Sequence, residues 1–169
     1  MNTAALIRRL QAGGEVYAAL YADLDQDALN WRPAPGKWSL LDVICHMLDE
    51  ERDDFRTRLR LTLEEKGEAW PTNDPEGWVT SRNYAERDAG ETLSQFLDER
   101  QASIEWLQGL ASPNWEAVYD HPKGFVISAG DLLLSWVVHD SAHVRQIASL
   151  LIGHADALGE PFSSDYAGA

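Results

Sequence analysis

The sequence predicts an all-α protein built as a four-helix bundle. Three observations lead there. Four segments carry apolar residues at helical spacing, two of them open on capping boxes, and no stretch shows the strict alternation of a half-buried strand. The 169 residues are enough for one domain with a substantial core. The chain is read as one such domain, 1–169, in which 153–169 form a polar tail.

The first helix is expected over about Thr3 to Leu24, where Leu6, Leu10, Tyr17, Leu20 and Leu24 recur, although Gly13 and Gly14 weaken its middle. Two prolines and a glycine then make Asn30 to Trp38 a loop. The second helix starts at Ser39-Leu40-Leu41-Asp42, where the Ser hydroxyl can accept an early backbone N–H while the acid reaches back. It is expected to run to about Glu65, past Val43, Ile44, Met47, Leu48, Phe55 and Leu59. Residues 66–89 are punctuated by Gly67, Pro71, Asn73, Pro75, Gly77 and Asn83 and read as a long crossover. The third helix spans about Gly90 to Leu110, with Leu93, Phe96, Leu97, Ile104 and Leu107 inward. Pro113 to Ile127 is irregular, with a short extended piece at Phe125-Val126-Ile127. The fourth helix opens on a second capping box, Ser128-Ala129-Gly130-Asp131, and is expected to reach Ile152 and stop at Gly153.

Charge narrows the function classes. Fourteen Lys and Arg stand against 28 Asp and Glu, a net charge of −14. Nucleic acid binding runs on neutralising phosphates, and this field repels a polyanion or an anionic membrane surface. The basic residues are scattered: Arg52, Arg56, Arg58 and Arg60 are interleaved with acids and other side chains, so no basic patch emerges. The single cysteine, Cys45, allows no internal disulfide. The apolar run before Arg8 and Arg9 is too short for a signal peptide. Leu132 to Val138 ends at His139, far short of the roughly 20 apolar residues of a membrane helix. A cytoplasmic location is therefore expected.

The chemistry is carried by His139-Asp140-Ser141-Ala142-His143 in the fourth helix. Positions i and i+4 lie about 40° apart on one face, so two imidazoles can reach one ion without backbone distortion. Trp136 and Gln146 flank the pair. Imidazoles directed into a bundle need partners for their ring nitrogens, and a metal supplies one for each. His46 is the other histidine deep in a strong helix, and bundle metal sites are assembled from facing helices, which makes it the third ligand.

Other residues divide between a site role and a plainer one. Glu50, four residues after His46, and Asp53, seven after, share its face as a ligand, a base or an acceptor for an imidazole N–H, or are solvated acids in a charge run. Asp140 reads as a surface residue or one orienting a neighbour, and Cys45 as a buried, inert thiol. His121 and His154 read as exposed. Gln146 fits a pocket hydrogen-bonder, and Arg100 either meets an anionic substrate group or pairs with an acid. Of seven tryptophans, Trp38 and Trp106 fit packing, Trp136 a pocket wall, and Trp70, Trp78 and Trp115 a lid or dimer contact.

Taken in order, several stretches resemble one family. Trp31, Pro33, Gly36, Lys37, Trp38 and Ser39 lead into His46-Met47-Leu48-Asp49-Glu50-Glu51. Phe96 and Arg100 follow in the third helix, then His121, Pro122 and Gly124, then Val138 to Ile147. The pattern, over roughly residues 3–152, is similar to the DinB-like (YfiT-like) superfamily. The resemblance implies a four-helix bundle, often homodimeric, that holds a zinc- or nickel-type ion with one histidine from helix two and two from helix four. Those positions match His46, His139 and His143.

Three neutral imidazoles leave a coordination position open, the pattern of a catalytic rather than a structural site. Characterised members of the resembled family join a low-molecular-weight thiol to an electrophile, or carry out a thiol-dependent isomerisation. The resemblance thus implies a metal-dependent transferase whose partners are a small thiol, such as bacillithiol, and an electrophilic substrate. A metal-dependent hydrolase and a non-catalytic metal- or ligand-binding stress protein stand as alternatives. Three imidazoles suit zinc and nickel alike.

A net charge of −14 sets one expected outcome. In a mobility-shift assay at physiological salt the protein gives no complex with duplex DNA, and a micromolar complex with a steep salt slope would contradict the electrostatic reading.

Overall fold

A computed structural model describes residues 1–64 and 67–167. Helix α1 spans Thr3–Tyr21, α2 Gln26–Asn30, α3 Leu40–Asp49, α4 Arg56–Glu64, α5 Pro75–Ser81, α6 Ala89–Gly109 and α7 Ala129–Gly159. Strands β1 (Val118–His121) and β2 (Phe125–Ser128) form an antiparallel hairpin. The four-helix bundle expected from periodicity is present, and its long members are α1, α3 continued into α4, α6 and α7.

Both predicted capping boxes form. Ser39 Oγ accepts from Asp42 N at 3.2 Å while Asp42 Oδ2 accepts from Ser39 N at 2.7 Å, and Ser128 and Asp131 repeat the arrangement. The second bundle helix is not α-helical throughout. Glu50–Phe55 is a π-helical segment joining α3 to α4, and its i→i+5 bonding widens the turn to hold an extra residue. The end expected at Glu65 lies outside the described residues. The 66–89 crossover is partly ordered into α5 and a 3₁₀ turn at Tyr84–Glu86. It is anchored by buried Trp78 and by Tyr84, whose hydroxyl donates to buried Asp49 at 2.8 Å.

The helix stop expected at Gly153 is corrected, while the expectations at Gly13, Gly14 and Phe125–Ile127 gain their physical detail. Gly13 and Gly14 do not interrupt α1; a Cβ at Gly13 would lie 2.6 Å from Asp140 Oδ2, so the bare backbone admits a side chain of α7. Gly153 does not end α7, which runs on to Gly159, so the polar tail is shorter than 153–169. A Cβ there would lie 2.7 Å from Trp31 Cη2: the residue makes room for an indole rather than a helix stop. The extended piece at Phe125–Ile127 has a partner strand, with Tyr119 opposite Ile127 and the turn closed by Gly124 at φ +84°.

Helix α1 packs against α6 and α7, while α3 packs against α6 and α4 against α7. The first and second bundle helices therefore sit diagonally, so the connection between them crosses the bundle. The core has two apolar parts. One gathers Tyr17, Ile44, Leu48, Phe96 and Ile147, the other Leu10, Leu59, Ile104, Leu133 and Trp136.

Arg100 lies between these parts at 3% exposure. It donates to Asp140 on α7 at 2.5 Å, to Glu51 in the π segment at 2.8 Å and to the Leu10 carbonyl on α1 at 2.9 Å. One guanidinium thus joins all four long helices. Of the two roles open from the sequence, the structure shows Arg100 pairing with acids, and it buries Asp140, placing it away from the helix surface.

Removing one member of a buried ion pair leaves its partners uncompensated, at a cost of about 3–5 kcal/mol. Arg100→Met is expected to lower the unfolding free energy by about that amount in urea titrations. A loss below about 1 kcal/mol would show that the guanidinium does not hold the bundle.

Candidate metal centre

His46 sits at 3% exposure in α3, one turn before the π segment, with its ring turned toward α7. His139 and His143 occupy successive turns of α7. His139 Nε2 lies 3.3 Å from His46 Nε2 and 3.1 Å from His143 Nε2. Ligating atoms of all three fall within 4.8 Å of one another, and among the described residues no carboxylate or thiol joins them. The structure thus brings together the three histidines singled out from the sequence.

The protonation pattern favours a cation. Burial, then neighbouring His143, pushes His46 down to about 3. Burial, followed by His143 and His46, lowers His139, and burial lowers His143. Gln146 Oε1 accepts from His143 Nδ1 at 2.8 Å, which turns the Nε2 lone pair of that ring toward the other two. Converging Nε2 atoms cannot all satisfy one another, because a single proton serves only one pair. A divalent ion of borderline softness serves all three, so the residues present fit a metal.

The triad faces a cleft of about 760 Å³. Trp38, Phe55, Trp70 and Phe125 supply its aromatic walls, while Glu50, Asp54, Asp74 and Glu76 supply its acids. Trp38 lies 4.9 Å from the His46 ring, and Phe55 lies 5.0 Å from His139. Glu50 Oε1 is 3.8 Å from His46 Nδ1 and accepts from Asn73 Nδ2 at 3.2 Å. Burial, then the charge of Asp54, raises Glu50, and burial raises Asp54 against the pull of Arg58 at 2.7 Å. The two adjacent carboxyls therefore keep a proton well above the usual carboxylate range.

The other candidates sort clearly. Glu50 is in the cleft. Asp53 is outside it, paired with Arg52 at 3.3 Å and Arg82 at 2.6 Å, because the wider π turn brings Asp54 to the face where an α-helix would carry Asp53. Cys45 is buried and its thiol is pushed up to about 11 by burial, as expected of an inert core cysteine. His154 is buried beside Trp31 with Nε2 3.3 Å from Asp27, not exposed. His121 stacks on Phe125 at the hairpin and is half-buried, not exposed. Trp136 is buried beneath Phe55 and donates to Glu51 at 3.0 Å, so it supports the cleft without lining it. Trp78 and Trp115 pack into the core, whereas Trp70 lines the cleft. Sequence reasoning missed Asp54 and Asn73. The spacing of Asp54 from Glu50 was available as a signal, but nothing in the crossover marked Asn73.

Comparison with known proteins bears on this geometry. The family model of the DinB superfamily matches residues 9–147, a span containing all three histidines and Gln146. Among solved structures the chain is similar to YfiT from Bacillus subtilis, described as a probable metal-dependent hydrolase with an unusual four-helix bundle topology. The TM-score is 0.78 at 19% identity, covering 88% of this chain and 85% of that one. No curated protein sequence matches significantly.

The histidine shifts set a pH dependence for chelator-treated protein. A folded pKa below the unfolded value of about 6.5 gives stability that is present above pH 6.5 and lost as pH falls toward the folded pKa. Glu50 and Asp54, both raised, act with the opposite sign. Comparison with a His46→Gln variant cancels their part. Between pH 7 and pH 5 the native protein is expected to lose on the order of 2 kcal/mol more than the variant in urea titrations. Parallel profiles would mean that His46 titrates normally.

Proposed function

The chain belongs to the DinB superfamily, and from that premise we propose that it is a metal-dependent enzyme whose ion is held by His46, His139 and His143. The observation that carries this is the convergence of three neutral imidazoles within 4.8 Å, beside a cleft of about 760 Å³. These three side chains would hold a divalent ion, which when bound would supply the Lewis acidity that makes a water or a thiol acidic near neutral pH.

The chain's own residues divide the remaining work. Gln146 fixes the His143 ring through Nδ1. Glu50 and Asp54 hold a proton between them, so the ionised member can take the nucleophile's proton while the protonated member gives one to a leaving group. Trp38, Trp70 and Phe125 give the cleft an apolar lining suited to an apolar electrophile. The finer reading is a transferase that joins a low-molecular-weight thiol to an electrophile at a zinc or nickel site. A hydrolase is the second reading. Glu50 favours it, because water needs a general base more than a thiol does, and YfiT is described as a probable metal-dependent hydrolase.

Purified protein is expected to carry about one divalent transition metal per chain by elemental analysis, and His139→Ala/His143→Ala to carry essentially none. Metal retained by the double variant would remove the triad from the site. In cobalt-loaded protein with Cys45→Ser, a small thiol should give a sulfur-to-metal charge-transfer band that His46→Ala weakens. A spectrum indifferent to thiols, together with Glu50-dependent ester or amide cleavage, would decide for the hydrolase.

A further inference from the structure

A second groove of about 540 Å³ adjoins the metal cleft, and Trp38 and Glu76 line both. Its aromatic walls are Trp31 and Trp38, each half-buried and each held in place from behind. Trp31 lies against α7 over the bare backbone of Gly153, with the His154 ring 5.9 Å away. The Trp38 ring runs within 10° of parallel to His143, at 6.4 Å. Indoles fixed in this way hold a flat conjugated group by stacking at little cost in side-chain freedom.

The polar groups define the ligand further. Gln146 lines the groove while its Oε1 is committed to His143, so the amide Nε2, a donor, remains for a ligand. Lys37 and Glu76 bring one charge of each sign, so the groove does not favour a charged body. Ser149 contributes little, since its hydroxyl donates to the Arg145 carbonyl at 3.0 Å.

We propose that this groove binds the non-reacting body of the substrate: a flat, uncharged aromatic or conjugated group carrying a hydrogen-bond acceptor. The acceptor rests on the Gln146 amide, and the reactive end passes Trp38 into the metal cleft. The word substrate rests on the metal-dependent reading above; binding itself needs no ion.

The probe is coumarin, which is flat and uncharged and has a carbonyl acceptor, titrated into ¹⁵N-labelled, chelator-treated protein. The indole N–H signals of Trp31 and Trp38 and the side-chain amide of Gln146 are expected to shift together and saturate, while that of buried Trp136 stays. Ser149→Trp, a change at an exposed position, is expected to weaken binding about tenfold by filling the groove. Gln146→Met is expected to keep the indole shifts at severalfold lower affinity.

Shifts that fail to saturate, that appear at Trp70 instead, or that survive Ser149→Trp unchanged would overturn the proposal. Equal binding of camphor, which is compact and not flat, would do the same. Elemental analysis of untreated protein keeps the two readings apart. Metal without coumarin shifts sinks the groove alone, and coumarin shifts without metal sink the metal centre while leaving the groove.

Discussion

A single buried guanidinium organises this molecule. Arg100 reaches α1, the π segment and α7 from its own place on α6, so each long helix meets the others through one planar fork. An apolar layer tolerates sliding, because hydrophobic contact is not directional. A charged fork with directed donors does not. Asp140 follows His139 directly, and Glu51 lies five residues after His46, so the contacts that set helix register also set the spacing of the three imidazoles. Tyr17 adds to this from α1, donating to the Asp140 carbonyl at 3.1 Å. Gly13 takes part by omission, since any side chain there would meet the Asp140 carboxylate.

The π segment is the other constraint. It lets one short stretch serve three needs: Glu50 and Asp54 turn to the cleft, Glu51 turns inward to Arg100, and Phe55 packs between His139 and Trp136. Burial of the histidines keeps them neutral, and burial of the neighbouring acids keeps a proton on them. Both effects come from one dry environment acting on groups of opposite charge type.

The sequence disclosed what local chemistry determines. The capping boxes at Ser39 and Ser128 were legible because the partner residues lie three positions apart. The pair His139 and His143 was legible for a similar reason, and His46 followed from the rule that bundle sites draw on facing helices. What stayed hidden depends on partners far along the chain. Gly153 carries the residue type of a helix end, and only Trp31, more than a hundred positions earlier, turns it into a packing site. The run Glu50 to Asp54 suits an α-helix and a π turn alike, so nothing local announced the wider turn. Arg100 among so many acids had no evident preferred partner until the fold supplied Glu51 and Asp140. Asn73 sits in a stretch whose prolines signal a crossover and say nothing of where it passes.

The diagonal placement of the first two bundle helices has a further consequence. The three imidazoles stand on helices, whereas the aromatic walls around them, apart from Phe55 in the π segment, come from connections: Trp31 and Trp38 from the strap crossing the bundle, Trp70 from the second crossover and Phe125 from the hairpin. The imidazole cluster and most of the aromatic lining beside it are therefore carried by different kinds of backbone. Connections tolerate changes of length and composition that packed helices do not. The aromatic lining can thus be exchanged while the helical frame that converges the three histidines is left untouched.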